Sequence, residues 1–527
     1  MLSPRRRREC DEPGPLPLPP GPVGNGEFVP AAPSSLDRAL LGVIREEVDG
    51  AVGRAGMDRR RFLLSAGGVA ASLAAFNLAS CSGGRRRLTG AVPPTTSAST
   101  TSPATTSPPT SGGTFIVPPT ADVAACERAL AGTGEFIFDV HTHHVMPQGP
   151  WRRDAPATVG LVEGMLPASC TQADPLDCVD RAAYLHDLFL SSDTVVAMLT
   201  DVPNSGPNDA PIPFADALGT QQATDGLTAP GASRLLVQNV IAPNVGPLQA
   251  RLDDMTAAAS TGRVAAFKVY TAWSPTGHGW SLDDPAIGLP VLQHAHDLGV
   301  RVLVAHKGLP LVNFDPAHNL PDDVVAVSRI FPDMQFVVFH AGWLPTRREG
   351  PRNQANPTGI DGLLSALDRH GVPPDDNVWV DLGTVWRQVL TDPDQAAHVL
   401  GKLLSRVGTH RVLWGTDAIW YGSPQPQIMA LRAFHLSAAY QEHYGYPDLT
   451  DAVKARIFGL NAAGLFGVDA TATRCAVTTD PLTSTQPAIR QLQAAAALPS
   501  PWAPRGPTTR RQTLDWLASP ATRWQPE

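Results

Sequence analysis

The sequence predicts an α/β protein built as a (β/α)8 barrel of the TIM type, preceded by a disordered export signal and linker. Three observations predict it. Eight short apolar runs between residues 136 and 414 alternate with segments of helical period. Histidines and one aspartate recur where those runs end, which is where a barrel gathers its functional groups. No glycine-rich phosphate loop follows the first run, as an open doubly wound sheet would favour.

In chain order, residues 1–56 read as a disordered leader, rich in proline and glycine, with an arginine run from Arg5 to Arg8. Within it, Leu36, Leu40, Val43, Ile44 and Glu47 have the spacing of a marginal amphipathic helix. Residues 57–81 read as a twin-arginine export signal: DRRRFLLS at 58–65, then an apolar run to Ala79. Gly67, Gly68, Ser72 and Asn77 make that run too polar for a permanent membrane span. It ends in Leu78-Ala79-Ser80-Cys81, which resembles a bacterial lipobox, and the resemblance implies lipidation of Cys81. Met57 directly precedes the arginine motif, so translation starting there is the alternative to a long leader. Residues 82–113 form a Ser/Thr/Pro-rich linker. The expected location is therefore extracytoplasmic, reached through the twin-arginine machinery, with a lipid at Cys81 holding a tethered domain to the membrane.

The 527-residue chain carries a net charge of −8 with 43% hydrophobic residues, which supports a real core and argues against a nucleic-acid partner. Six cysteines in this length do not make a disulfide scaffold. In an oxidising compartment Cys170 and Cys178 are the most local pair, with free buried thiols the alternative.

The barrel spans residues 135–467. Its expected strands are 136–141, 194–199, 234–241, 264–270, 300–305, 335–339, 377–380 and 411–414. Helical periodicity is clearest at 178–190, 247–259, 286–298, 322–331, 359–370, 395–407 and 425–440. The connection after Leu199 is proline-rich and gives the weakest helical signal. Residues 468–527 form a C-terminal extension rich in proline, threonine and arginine.

The polar residues now acquire positions. The first strand ends in His141 and His143, which point to one face because they are two apart. Strand four carries Lys268, strand five ends at His306, strand six at His340, and strand eight at Asp417. Each has an ordinary structural explanation alone; together they converge on one rim. Asp201 and Asp381 are candidates to orient imidazoles, with helix capping the alternative. His278 could touch substrate, and Trp273, Trp280, Trp343, Trp386 and Trp420 lie just past strand ends. Lys307 should point away from the site, and His294 and His296, two apart on a helix, read as structural.

The His-Thr-His pair, the His306 and His340 strand ends and the Gly-Thr-Asp at 415–417 resemble the amidohydrolase superfamily. The closer likeness is to its amidohydrolase-related branch of metal-dependent hydrolases and non-oxidative decarboxylases. The segment KARIFGLNAAGLFG at 454–467 resembles the terminal helix of that branch. The resemblance implies that His141, His143, His306 and Asp417 ligate a divalent metal, expected to be zinc. It implies that His340 hydrogen-bonds substrate or bound water, and that Asp417 is also the proton acceptor. One ion is expected, or two if Lys268 is carboxylated and bridges them; otherwise Lys268 faces substrate. The implied reaction is metal-dependent hydrolysis of a C–N or C–O bond in a small molecule. Decarboxylation of an aromatic or enol acid is the alternative, and a non-catalytic metal- or ligand-binding envelope protein the second. A homodimer is compatible with all three.

Overall fold

The computed structural model describes residues 16–20, 34–63, 65–78, 111–164, 166, 170, 172–310 and 314–494. Ten strands lie among them: β1 (Gly113–Phe115), β2 (Phe138–Thr142), β3 (Val196–Leu199), β4 (Leu235–Ile241), β5 (Val264–Val269), β6 (Val302–His306), β7 (Gln335–Phe339), β8 (Val378–Asp381), β9 (Val412–Leu413) and β10 (Phe434–Leu436). Strands β2 to β9 form one parallel sheet in sequence order, the arrangement of a (β/α)8 barrel. Closure falls at the first and last strands. Val140 N donates to Trp414 O at 3.0 Å, and Thr142 bridges Ala418.

Strand periodicity sorts the core into two shells. Phe138, Val140, Met198, Ala266, Val304, Val337 and Leu413 belong to one apolar cluster contributed by strands around the whole barrel. Their neighbours one residue along, such as Leu303, Ala305, Phe336 and Val338, join the larger cluster that includes the helices. Both faces of the strands are therefore apolar, which is why they read as unbroken hydrophobic runs.

The helices fill the gaps the sequence marks, with three differences. A helix, Phe214–Asp225, does follow β3. Its buried residues are Ala217, Thr220, Gln221 and Thr224, so it has no apolar stripe to read. The expected helix 425–440 divides into Gln425–Ala433, then β10, then Ala438–Tyr444. The interruption exists because β10 pairs antiparallel with β1, Phe115 opposite Phe434, a partner that lies far away in sequence. The expected helix 178–190 is a 3-10 turn Pro175–Val179, a helix Arg181–Leu185 and a π turn His186–Leu190.

The N-terminal expectation also needs correction where residues are described. Ser35–Ala55 is a helix, not disordered leader, and Ser34 with Asp37 forms a capping box at its start. Its spacing looked marginal because its stability comes from partners: Leu40, Ile44, Val48 and Ala51 are buried in the same cluster as the helix Ala66–Phe76. That second helix, the apolar run of the expected export signal, is buried along nearly its whole length. Asn77 then clasps β1, accepting from Phe115 N at 2.7 Å and donating to Phe115 O at 2.9 Å. Cys81 and all but the end of the expected linker lie outside the described residues. Among the described residues no helix is long and apolar enough to cross a membrane.

Of the C-terminal extension, Ala470–Val477 and Pro481–Ala494 are helical. Asp480 between them pairs with the buried Arg234 at 3.1 Å, just before β4. Cys170 and Cys178 form a disulfide, while Cys126 and Cys475 are free.

Candidate metal centre and active site

Barrel closure also builds the site. Asp417 N donates to His141 O at 2.9 Å, and His143 N donates to Ala418 O at 2.5 Å. The backbone bonds that join the last strand to the first thus bring the aspartate to the histidine pair. Asp417, His340 and Thr384 adopt φ of 62°, 63° and 58°. Non-glycine residues reach this left-handed region only where surroundings impose it, and such positions gather at functional sites.

The ring nitrogens are divided in a consistent way. His141 Nδ1 donates to Asp381 Oδ2 at 2.8 Å, leaving Nε2 as a lone pair 3.5 Å from Asp417 Oδ1. His340 Nδ1 donates to Gly383 O at 2.8 Å, leaving a buried Nε2 with no hydrogen-bond partner. His306 Nε2 donates to Leu309 O at 3.0 Å, which frees its Nδ1. His143 Nε2 lies 3.3 Å from Asp417 Oδ1, and its Nδ1 is buried without a partner. The other Asp417 oxygen accepts the Thr384 hydroxyl at 2.6 Å. One nitrogen anchored and one presented is the arrangement that ligating histidines adopt.

The residues fit a divalent cation. His141, His340 and Asp417 each offer one atom within 4.8 Å of the others, and all three are buried. Two imidazoles and a carboxylate are a donor set for a transition metal, and the orphaned Nε2 of His340 is the polar atom such an ion would satisfy. His143 flanks this trio through Asp417, and the His306 ring lies 4.4 Å from that of His340. The trio therefore includes His340, which the sequence reading had assigned to substrate.

Burial works against charge on three of the imidazoles. Burial, assisted by the fields of Lys268 and neighbouring histidines and opposed by Asp417, holds His141 well below the usual imidazole range. Burial does the same to His306, helped by His340 and Lys268, and lowers His340 against the fields of Asp381 and Asp417. For Asp417, burial works toward protonation, but His141 and His143 outweigh it and hold the carboxyl ionised. Asp381 is pushed up to about 6 by burial, with His340 the main opposing influence. Lys268 is buried, its Nζ 3.5 Å from the centroid of the Phe339 ring that also stacks on His141 at 3.9 Å.

The remaining candidates separate. Asp381 does orient an imidazole, whereas Asp201 ties its own loop, accepting from Val202 N at 2.9 Å and Asn204 Nδ2 at 3.0 Å. Trp420 stacks on His143 at 5.5 Å, while the Trp386 indole is bonded to Gln427 O. Lys307 turns away to Asp323, at 2.7 Å. His294 and His296 serve helix contacts, with Leu252 O and Asp333 as their partners. His278 lies in its loop, where its backbone carbonyl accepts from Asn244.

Sequence reasoning missed Thr384 and Asp139. Thr384 stands three residues past the end of β8, a strand end the histidine pattern did not flag. Asp139 is buried inside β2, accepts from Thr416 N at 3.1 Å and is pushed up to about 8 by burial. The Asp-Val-His spelling gave its place but not its partner. Two glycines make room for the His141–Asp381 pair. A Cβ on Gly383 would stand 2.5 Å from His141 Nδ1, and one on Gly415 would stand 2.4 Å from Asp381 Oδ2.

A closed (β/α)8 barrel with buried histidines and an aspartate at the C-terminal ends of its strands defines an enzyme of the metal-site barrel class. The model of the Amidohydrolase family matches residues 193–468, just over half of the sequence, and the chain belongs to that family. No curated protein matches it. Among solved structures it is similar to 5-carboxyvanillate decarboxylase from Sphingomonas paucimobilis, at 14% identity and a TM-score of 0.39, over 63% of this chain and 99% of that one. It is similar to 2,6-dihydroxybenzoate decarboxylase from Rhizobium, at 14% identity and a TM-score of 0.36, over 64% and 100%. A proposed 2-pyrone-4,6-dicarboxylic acid hydrolase from Pseudomonas putida matches at 17% identity and a TM-score of 0.35, over 63% and 98%.

Proposed function

We propose that this chain is a metal-dependent hydrolase that cleaves a C–N or C–O bond in a small molecule at the rim of its barrel. The observation that carries the reading is the setting of Asp417. One carboxylate oxygen lies 3.3 Å from His143 Nε2 and 3.5 Å from His141 Nε2, and the other accepts the Thr384 hydroxyl. A carboxylate fixed in that way takes a proton from an attacking water and returns it to the leaving group. His141, His340 and Asp417 would hold the ion, with His143 and His306 beside them. The ion, zinc on this reading, would supply Lewis acidity toward the scissile group. A single ion is proposed, because the Lys268 ammonium packs on the Phe339 ring, 3.5 Å from its centroid. Asp381 keeps the His141 ring oriented, and burial of the whole rim strengthens each of these interactions.

A second reading, non-oxidative decarboxylation of an aromatic or enol acid on the same residues, has an observation of its own. His141, His306, His340, Asp417 and Lys268 are each no more than 1% exposed. A site that dry favours loss of a carboxylate as carbon dioxide, since charge is dispersed as the bond breaks.

One experiment separates them. Purified protein is loaded with zinc or manganese and offered amides, lactones and esters alongside carboxylated aromatics, with proton release and carbon dioxide followed together. Hydrolysis without carbon dioxide supports the first reading and carbon dioxide release the second. Silence across the panel, with Asp417→Asn indistinguishable from the parent in metal binding, overturns both.

A further inference from the structure

The turn that precedes β3 holds a second group of reactive side chains, at the end of the barrel opposite the metal cluster. The helix Arg181–Leu185 passes into the π turn His186–Leu190, and Ser191 follows. A π turn bonds residues five apart, so it brings position 186 to position 191; such turns recur at functional sites. Ser191 Oγ and His186 Nε2 lie 3.3 Å apart, and His186 Nδ1 lies 3.0 Å from Asp187 Oδ1. With Nδ1 donating to the carboxylate, Nε2 presents its lone pair to the serine hydroxyl. A nucleophile, a base and a carboxylate that orients the base are the parts of a hydrolytic triad, which is recognised by geometry and not by chain order.

The serine is held in place and borders open space. Its backbone carbonyl accepts from Ser423 Oγ at 3.0 Å. Gln493 Nε2, on the helix Pro481–Ala494, donates to Ser191 Oγ at 3.0 Å and lies 3.4 Å from His186 Nε2. That amide is placed to donate to an oxygen that gains charge beside Oγ. Ser191 and Gln493 both line a cavity of about 1060 Å³. The N-terminal face of a barrel ordinarily serves stability, but this cavity is walled by chain outside the barrel, with Met57 and Ala66 on one side and Gln486 and Gln493 on another. Buried charges in the wall are matched: Arg234 pairs with Asp480, and Arg432 with Glu135 and Asp193. Met57, Leu130, Val195 and Met429 add apolar surface. Such a lining suits an uncharged ligand with an apolar arm.

We propose that Ser191 and His186, with Asp187 positioning the imidazole, form a second catalytic site that hydrolyses uncharged carboxylic esters with a short apolar acyl chain. Ser191 Oγ adds to the ester carbonyl carbon while its proton passes to His186 Nε2. The C–O bond to the alcohol then breaks, the alcohol oxygen takes that proton, and an acyl-serine remains. Water repeats the sequence: it gives a proton to His186 as it adds to the acyl carbon, and the carboxylic acid leaves as the proton returns to Ser191 Oγ. No metal enters these steps.

The test treats the full chain with a fluorophosphonate and, separately, with p-nitrophenyl butyrate, and locates the adducts by peptide mapping. The fluorophosphonate is expected on Ser191 of the native chain and not on a chain first unfolded in urea. A burst of nitrophenol should leave a butyryl group on the same residue. Ser191→Ala should lose both adduct and burst, and His186→Gln should slow the burst by roughly 100-fold. Asp187→Asn should lower kcat and leave KM in place, as loss of ring orientation alone requires. Removing metal with a chelator should change neither adduct. The adduct is read on the unmutated chain, so a variant that fails to fold does not decide the outcome. No adduct on native Ser191, equal labelling of the unfolded chain, labelling that needs added metal, or a burst that survives Ser191→Ala would each overturn the proposal. Either outcome leaves the reaction assigned to the rim as it was.

Discussion

Nδ1 of His141 and Oδ2 of Asp381 lie 2.8 Å apart, both residues being no more than 1% exposed. This bond fixes which nitrogen of His141 faces the centre, and the second Asp381 oxygen accepts from His340 N at 2.6 Å. One carboxylate therefore braces two of the clustered ligands. Asp381→Ala should weaken metal binding by roughly 10- to 100-fold, the usual effect of losing such a partner. Gly383→Ala should do the same by crowding His141 Nδ1. Competition with a fluorescent chelator measures both; affinities equal to the parent's would refute the bracing role.

The barrel was legible because parallel strands buried on both faces spell continuous apolar runs, and the rim because strand ends are where histidines could be placed by counting. His141, His340 and Asp417 offer ligand atoms within 4.8 Å of one another, whereas the ligand set implied by the resemblance was His141, His143, His306 and Asp417. What was not legible depends on contacts between distant segments. β10 needs β1 as its partner, and the helix Ser35–Ala55 needs Ala66–Phe76. Neither requirement shows in local spacing. Thr384 follows a strand that ends in aspartate, so the histidine pattern passed over it.

Thr384 should matter through its hydroxyl alone. Its bond to Asp417 is charge-assisted, and such bonds contribute about 1.5–3 kcal/mol. Thr384→Val removes the donor, and kcat should fall by roughly 10- to 100-fold with KM little changed. Thr384→Ser keeps the donor and should stay near the parent. Steady-state kinetics on whichever substrate the panel reveals decides it; equal losses in both variants would place the effect in packing instead.

His398 gives a pH dependence away from the metal centre. It is 2% exposed, its Nδ1 lies 2.9 Å from the Tyr446 hydroxyl, and burial pushes its pKa down to about 4. The unfolded chain titrates near the ordinary value of about 6.5. Between those values the unfolded state binds the extra proton, so stability present above pH 6.5 is lost as pH falls toward 4. From pH 7 to pH 5 this one group should remove about 2 kcal/mol. His398→Gln should flatten that part of the profile of urea midpoints. A slope identical to the parent's would contradict the assignment.

Two free thiols should differ in reactivity. Burial, then Asp122 and Glu127, push Cys126 up to about 11, so little thiolate forms near neutrality. Cys475 is exposed. Iodoacetamide at pH 8 followed by peptide mapping should label Cys475 in the native protein and Cys126 only after denaturation. Equal labelling of both before denaturation would show that the segment around Cys126 opens readily.

The N-terminal helices make the sharpest demand on the whole chain. Phe62, Val69, Leu73 and Phe76 are each fully buried and share a cluster with Phe115, Cys126 and Phe434. Each such side chain contributes about 1.5–3 kcal/mol when taken from water, so together they approach the whole net stability of a typical domain, about 5–15 kcal/mol. Export with cleavage before Cys81, as the lipobox resemblance implies, would remove all four. A chain beginning at residue 79 should therefore melt far below the full chain or aggregate, and intact-mass analysis of protein from its native host should find residues 57–78 retained. A truncated chain as stable as the full one, or a mature mass starting at a lipidated Cys81, would show instead that the helix is an address removed after use, and that the barrel closes this face by other means.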